Sequence, residues 1–372
     1  MSPNNTLQYL NLVLLCVCIV LYFKKSFIVF LCLYFILFFI LEYLEFCQNI
    51  QIWNQKERTE NCYNWFEHYF VKNYDQNHRF DYSESLFFGN YNLPIEQATL
   101  QKYDYIFHQL ELQPGQKLLD CGCGIGTWIE YCSKRGISVV GLTLSEEQAL
   151  IIQKKGLTVY VRDYRILYPE FLKEFDAITV LGSSEHVCLS KGLLTHAKKR
   201  CENTHTQLYI LLQKYLKPPH GKIFVTALVM NEIPYSNMDY LQGYIIERHY
   251  GGYYITEKNL LSAVTNAQFI VVSKQDFTRD YHWTSVAAPD HFGHWNIRWN
   301  EDPFDKLVYF CKGLVTDPFL FHHWLYYFMD TWMWQLGGYQ KVPLTDEQIA
   351  RAPAQLKYLL LAMDHHPTDL KK

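Results

Sequence analysis

Short apolar runs alternate with segments of helical periodicity through the middle of the chain. The apolar runs predict strands at Leu118–Cys121, Val139–Leu142, Thr158–Val161, Ala177–Leu181, Ile223–Val229 and Phe269–Val272. Helices are predicted before and between them, notably at Ile95–Leu112, Ser145–Lys155 and Leu193–Leu216. This regular alternation predicts an α/β fold built on a doubly wound, mainly parallel sheet.

The first 45 residues are far more apolar than the rest of the chain. Leu7–Phe23 and Ser26–Leu41 are almost wholly apolar, and Lys24 and Lys25 separate them. Because a membrane-spanning helix needs about 20 apolar residues, the pattern predicts either one span over Ser26–Leu44 or a hairpin of two short helices. The stretch has neither the polar face of a soluble helix nor the leading charge of a signal peptide. We therefore expect a membrane anchor.

Changes in the pattern divide the chain into four parts. These are the anchor at 1–45, a helical extension and pocket lid at 46–115, the α/β domain at 116–279, and an aromatic-rich helical cap at 280–372. Aromatic residues make up 17% of the chain, enough to line an apolar tunnel, meet a membrane interface or fill a bulky core. The formal net charge of −3 gives no basic footprint for nucleic acid. The eleven cysteines form no C-x-x-C pair, which favours reduced thiols.

A glycine-rich loop follows the first predicted strand. Asp120 ends that strand, and Gly122, Gly124 and Gly126 occupy every second position after it. Such a loop is typical of nucleotide-binding domains, because glycines let a ligand approach the backbone and the following helix offers N–H groups. The dinucleotide fingerprint spaces its glycines differently, as G-x-G-x-x-G. The spacing here resembles the first motif of methyltransferases that use S-adenosylmethionine (AdoMet), in which Asp120 could hold the ammonium of the methionine end.

Five segments together resemble the cyclopropane fatty acid synthase family of methyltransferases, from about Tyr82 to about Val286. They read LQPGQKLLDCGCGIGTW, SVVGLTLSEEQ, RDYR, LGSSEHV and YLKPPHGKIFV. Neighbours in this family include fungal sphingolipid C-methyltransferases and plant coclaurine N-methyltransferases. The resemblance implies a class I, Rossmann-like methyltransferase fold with AdoMet as the cofactor.

The resemblance also implies roles for individual residues at the cofactor. The methionine end of AdoMet would be held by Asp120, Gly122, Gly124 and Gly126. The ribose would lie near Thr143 and Gln148, and the adenine near Asp163 and Tyr164. An acid beside an aromatic ring suits adenine, because one group accepts from the amino group and the other stacks.

The catalytic pocket is where the chain departs from the family. The resemblance implies that Glu185 and Tyr281 line this pocket, and that Glu185 helps to hold a bicarbonate ion acting as the base. The family's pocket cysteine falls on Glu84 and its pocket histidine on Ala227, so two contacts to bicarbonate are missing. A second carboxylate would repel an anion, and Glu84 could itself be the base, with a pKa raised by burial and like charge. The alternative is that Glu84 points to solvent from a lid.

These features favour AdoMet-dependent methylation of a carbon in an unsaturated lipid acyl chain, giving a cyclopropane or a methyl branch. The anchor and the aromatic content suit a lipid substrate at a membrane, with the catalytic domain facing the cytosol, where AdoMet is expected. Two alternatives are N-methylation of a small amine and a non-catalytic, membrane-bound AdoMet-binding protein. The histidines form no recognisable metal-ligand set, so no metal is expected, and the sequence leaves the oligomeric state open.

Overall fold

The computed structural model describes residues 81, 83–188, 194–233, 252, 254–292 and 342–363, with isolated positions at 33, 36, 37, 40, 59, 60 and 62–64. The strands of this part are β1 (Lys117–Cys121), β2 (Ser138–Thr143), β3 (Thr158–Val161), β4 (Ala177–Leu181), β5 (Lys222–Met230), β6 (Phe269–Asp276) and β7 (Ala354–Met363). Its α-helices are α1 (Ile95–Leu110), α2 (Thr127–Ser133), α3 (Glu146–Lys154), α4 (Leu194–Tyr215), α5 (Glu257–Asn266), α6 (Thr278–Phe292) and α7 (Asp346–Ala350). Single 3₁₀ turns occur at Pro169–Phe171 and Ser184–His186.

One mixed sheet contains the seven described strands, in the order β3-β2-β1-β4-β5-β7-β6. The strands from β3 to β5 in this order pair in parallel. Strand β7 instead runs antiparallel to both of its neighbours, β5 and β6. The predicted α/β fold with a mainly parallel sheet is confirmed, and each predicted strand is present at its expected place.

Strand β7 contradicts the prediction that the chain after Asp280 forms only helices. Its sequence, AQLKYLLLAM, is rich in Leu, Ala, Met and Lys, which favour helices in isolation. It is a strand because it lies between β5 and β6 and forms ladders with both. Sheet pairing therefore overrides the local propensity. Helix α6, in contrast, agrees with the prediction for this part of the chain.

The sheet is buried on both faces. Leu118 and Leu119 are fully buried neighbours in β1, yet they pack into two different apolar clusters, because successive side chains of a strand point to opposite faces. Strand β1 lies between β2 and β4, so the direction of winding reverses beside it. In open α/β sheets, ligands bind at the carboxyl ends of strands at such a switch point. The glycine loop follows β1 at that place.

The part of the chain that the structure describes contains no helix long and apolar enough to cross a bilayer. The predicted anchor at 1–45 and residues 46–80 of the predicted helical extension lie outside the described residues, apart from the isolated positions. Most of the predicted cap at 280–372 also lies outside them.

Candidate active site

The glycine loop between β1 and α2 has a backbone that favours glycine. Gly122, Gly124 and Gly126 have φ angles of 82°, 52° and 78°, all in the left-handed region. A Cβ at Gly122 would lie 2.5 Å from the Cβ of Ser183, so the loop passes closely against the segment after β4. Gly126 is also the N-cap of α2, and the first N–H groups of a helix lack carbonyl partners within it. The loop therefore has the features that the cofactor prediction requires.

Asp120 is the next-to-last residue of β1, and its side chain is only 2% exposed. Thr179 on β4 donates a hydrogen bond to Asp120 Oδ1 at 2.8 Å. Burial raises the pKa of Asp120 to about 7, because an ionised carboxylate is costly in a site that offers it little solvation. A cationic group bound beside it would favour the ionised form. The ammonium group of AdoMet fits this carboxylate.

Thr143 and Gln148 contact each other where β2 leads into α3. The hydroxyl of Thr143 donates to Oε1 of Gln148 at 2.7 Å, and both side chains are buried. Within the described residues, Nε2 of Gln148 has no hydrogen-bond partner. A buried donor without a partner is costly, so this amide suits a ligand hydroxyl. The place of both residues at the ribose stays a prediction, and their geometry agrees with it.

Asp163 and Tyr164 follow β3, and both make contacts within the protein. Arg165 binds both carboxylate oxygens of Asp163, with Nε 2.9 Å from Oδ1 and Nη2 2.7 Å from Oδ2. The hydroxyl of Tyr164 donates to the carbonyl of Ser183 at 2.7 Å. The contact of Tyr164 joins the segments that follow β3 and β4, whereas that of Asp163 stays within the segment after β3. Their predicted contact with adenine stays a prediction.

Glu185 lies in the 3₁₀ turn directly after β4 and is 8% exposed. The N–H of Leu228 on β5 donates to its Oε1 at 2.6 Å. Its Oε2 is buried and has no hydrogen-bond partner in the described part of the chain. Burial raises the pKa of Glu185 to about 7, and the negative charge of Glu84 contributes to the rise. Glu185 is thus a buried carboxyl poised to exchange a proton near neutral pH.

Glu84 is buried, with 4% of its surface exposed, so the alternative that it points to solvent is wrong. The hydroxyl of Tyr358, on β7, donates a hydrogen bond to its carboxylate. Burial raises the pKa of Glu84, although the charge of Lys102 opposes the rise. The structure thus brings Glu84 close enough to Glu185 for the two charges to interact. Sequence reasoning missed Tyr358 because it missed β7.

Bicarbonate, which the resemblance implies, does not fit this set of side chains. Glu84 and Glu185 are both buried carboxyls, and an anion beside them would meet like charge. Ala227 on β5 is fully buried and offers no polar group in place of the family's histidine. In the described ranges, no group of three or more histidine, cysteine, aspartate or glutamate side chains could hold a metal ion.

A buried ion pair joins α1 to the segment that carries Glu84. Nζ of Lys102 on α1 is 2.5 Å from Oδ2 of Asp81 and 2.6 Å from Oγ of Ser83, and the lysine is 1% exposed. Sequence reasoning missed both members of the pair. One signal was available: Lys102 falls at helical spacing on the same face as the buried residues Ile95, Ala98 and Ile106.

Two tyrosines approach the pocket from outside the sheet. The hydroxyl of Tyr63, which the sequence did not single out, lies 2.8 Å from Nε2 of His186, the residue after Glu185. Burial raises the pKa of Tyr63, and the charges that add to the rise include those of Glu185 and Tyr281. Tyr281 is half-buried on α6 and packs against an apolar cluster. Its catalytic role stays a prediction.

The model of the family described as mycolic acid cyclopropane synthetase matches residues 52–297 of the chain. The chain belongs to this family. Among the curated relatives of the chain, a "probable fatty acid methyltransferase" of Mycobacterium tuberculosis is 30% identical to it over 184 residues, covering 44% of this chain and 43% of the relative. The cyclopropane-fatty-acyl-phospholipid synthase of Escherichia coli K12 is 38% identical over 98 residues, covering 25% of each. The chain spans less than half the length of these curated relatives.

Solved structures share the fold over most of their length. The cyclopropane synthase MmaA2 from Mycobacterium tuberculosis gives a TM-score of 0.57 at 18% identity, covering 84% of this chain and 100% of that one. The mycolic acid cyclopropane synthase CmaA1, complexed with SAH and CTAB, gives 0.57 at 17% identity, covering 83% and 98%. At such identities the likeness establishes the fold, which is that of the class I methyltransferases.

Proposed function

We propose that the protein is an AdoMet-dependent methyltransferase that acts on a carbon of an unsaturated lipid acyl chain. One observation carries the proposal: a glycine loop and the buried carboxyl of Asp120, at the end of β1, accompany two more buried carboxyls, Glu185 after β4 and Glu84 before α1. The glycine loop and Asp120 suit the binding of AdoMet, and Glu84 and Glu185 suit removal of a proton. Membership of the cyclopropane synthetase family supports the same reading.

Different residues of the loop region bind different groups of AdoMet. Asp120 holds the ammonium group, and Nε2 of Gln148 donates to a ribose hydroxyl. Backbone N–H groups at the start of α2 lie next to the loop and favour a carboxylate. When bound, AdoMet supplies an electrophilic methyl group.

The two carboxyls of the pocket supply the base. With a pKa of about 7, Glu185 is ionised in about half of the molecules at neutral pH, and its Oε2 has no protein donor in the described part of the chain. Two interacting carboxyls release their protons in separate steps. One of the pair therefore accepts a proton from the substrate carbon while the other stays protonated. Burial also keeps water away from the reacting atoms.

Membrane anchorage completes the proposal. The apolar segment at residues 1–45 tethers the catalytic domain to a bilayer, where a lipid acyl chain can enter the pocket. The domain faces the cytosol, where AdoMet is available. Alkaline carbonate extraction tests the tether: the full chain is expected in the pellet and a variant without residues 1–45 in the supernatant.

The pair of carboxyls also favours a second candidate, N-methylation of a small amine. Glu84 and Glu185 would attract a cationic substrate, and one of them would accept the proton that the amine releases. In this case the product is a water-soluble methylated amine rather than a modified lipid.

One experiment separates the candidates. Membranes that contain the protein are incubated with AdoMet carrying a labelled methyl group, and the lipid and aqueous fractions are counted and analysed by mass spectrometry. The lipid proposal predicts label in acyl chains that are heavier by one CH₂. Label in a small amine would contradict the lipid proposal and support N-methylation. AdoMet binding without label in either fraction would indicate a non-catalytic binding protein.

A further inference from the structure

Lys102 is a lysine inside the protein, beside the pocket. It lies on the buried face of α1, with 1% of its surface exposed. Its Nζ donates to Oδ2 of Asp81 at 2.5 Å and to Oγ of Ser83 at 2.6 Å. A lysine is rarely this buried unless its charge is compensated. The lysine therefore ties down the two ends of a short segment, residues 81 and 83, directly before Glu84.

The same ion pair reaches the cofactor loop through Tyr103. The hydroxyl of Tyr103 lies 2.5 Å from Oδ2 of Asp81 and 2.6 Å from Oγ1 of Thr127. Since a tyrosine hydroxyl has one proton, it donates to the carboxylate and accepts from the threonine. Thr127 is the first residue of α2, which begins directly after the glycine loop. Lys102, Asp81, Tyr103 and Thr127 thus join the segment carrying Glu84 to the start of α2.

Lys102 also faces three carboxyls at once. Its charge favours the ionised forms of Asp81 and Glu84 and so lowers the pKa of each. At Asp120, the negative charge of Asp81 raises the pKa by more than Lys102 lowers it. Burial opposes the effect of Lys102 on all three, and it prevails for the pKa of Glu84 and of Asp120. For Asp81, the ion pair outweighs burial and the pKa is lowered. The other described groups that bond to these carboxyls are the neutral hydroxyls of Tyr103, Thr179 and Tyr358, and the N–H and hydroxyl of Ser83.

We propose that Lys102 is a positioning residue for AdoMet: its ion pair with Asp81 holds residues 81–83 and, through Tyr103 and Thr127, supports the start of α2 directly after the glycine loop. The inference rests on the proposed function, because it assumes that the glycine loop receives AdoMet. It adds a residue outside the loop and the catalytic pair. Loss of the ion pair removes this support, so the glycine loop should hold AdoMet less tightly, with Lys102 acting through Asp81 and Tyr103.

Lys357 provides a matched control. It is also a buried lysine, 7% exposed, with Nζ 2.6 Å from Asp276 and 3.3 Å from Glu257. That ion pair joins β7 to β6 and α5. Loss of a lysine from a buried pair leaves an unpaired charge and is destabilising wherever it occurs. Only loss of Lys102 should also weaken AdoMet binding, because the partners of Lys357 lie on β6 and α5 rather than beside the glycine loop.

Calorimetric titration with AdoMet, without any lipid, tests the inference on the full chain at pH 6.5 and pH 8.5. Lys102→Met is expected to weaken binding about tenfold at both pH values, because it removes the buried ion pair that supports the start of α2. Lys102→Arg, which keeps the charge, should restore most of the affinity. Lys357→Met should bind AdoMet within about twofold of the natural chain at both pH values.

Weakening by Lys102→Met that is no greater than Lys357→Met causes, or failure of Lys102→Arg to restore the affinity, would overturn the inference. If Lys102→Met does not fold, Lys102→Gln replaces it, since glutamine keeps a donor without the charge. If neither variant folds while Lys357→Met does, Lys102 has a structural role alone, and the inference is also overturned. Absence of AdoMet binding by the natural chain would instead defeat the proposed function.

Discussion

Tyr358 donates a hydrogen bond to the carboxylate of Glu84, joining two residues that are 274 positions apart. The tyrosine comes from β7, and the glutamate precedes α1. Both are buried, so neither the hydroxyl nor the carboxyl can exchange this partner for bulk water without opening the pocket. The contact makes β7 part of the candidate active site as well as part of the sheet.

Tyr358→Phe should move the acidic limb of the methyl-transfer profile to higher pH. The hydroxyl stabilises ionised Glu84, so removing it raises the pKa of that carboxyl further above its ordinary value. The cost in unfolding free energy should be about 1 kcal/mol. Initial rates measured between pH 5.5 and 9 provide the test. Tyr215→Phe, which removes a hydroxyl bonded to Tyr168 and Ile166, is the control, and an equal shift in that variant would contradict the prediction.

Glu185→Gln should lower turnover by at least about 100-fold and change AdoMet affinity by less than about threefold. The amide keeps an oxygen that can accept from the N–H of Leu228, but it cannot take up a proton. Single-turnover rates and calorimetry separate the two effects. The matched variant is Glu202→Gln, at a buried glutamate that accepts from Lys199 and Asn259. We expect Glu202→Gln to lose stability and keep turnover per folded molecule; the opposite pattern would remove Glu185 from the chemistry.

Gly122→Ala should destabilise the fold and weaken AdoMet binding together. The new Cβ would lie 2.5 Å from Ser183 Cβ, and φ is 82°. Backbone strain of this kind costs about 1–3 kcal/mol, and the collision adds to it. Gly115→Ala is the natural comparison, because its φ is 89° but its Cβ would meet nothing within 4 Å. Urea unfolding of both variants should therefore show the larger loss at Gly122. Equal losses would mean that the contact with Ser183 relaxes freely.

Asp120→Asn should become more stable relative to the natural chain as the pH rises. The folded-state pKa of Asp120 is about 7, whereas an aspartate in an unfolded chain has a pKa of about 4. The protonated carboxyl therefore contributes stability fully below about pH 4, and this contribution is lost as the pH rises through 7. Asparagine resembles the protonated form at every pH, so the variant should gain up to about 4 kcal/mol over the natural chain by pH 8.

Urea unfolding without AdoMet at pH 5, 6.5 and 8 measures that difference. Glu202→Gln is the control: hydrogen bonding from Lys199 lowers the pKa of Glu202, so its contribution stays constant over this range. A flat difference between Asp120→Asn and the natural chain would show that Asp120 is ionised throughout in the folded protein.

Local pattern was enough to predict β1 and the glycine loop, because an apolar run followed by glycines at alternate positions constrains the backbone directly. It was not enough for β7, whose leucines favour a helix until β5 and β6 offer ladders on both sides. The partners of Lys102 and Glu84 were out of reach for a related reason. Periodicity places a side chain on a buried face, but an ion pair or hydrogen bond depends on how distant segments meet.

The position of β7 between β5 and β6 sets an order of events during synthesis. Strand β6 leaves the ribosome well before β7, yet it has no described neighbour in the sheet other than β7. The five parallel strands can assemble early, while β6 must wait with an exposed edge until residues 354–363 have emerged. The hydroxyl of Tyr358 then arrives at Glu84 in the same step. The newborn chain therefore gains the contact between Tyr358 and Glu84 only when β7 pairs with β5 and β6.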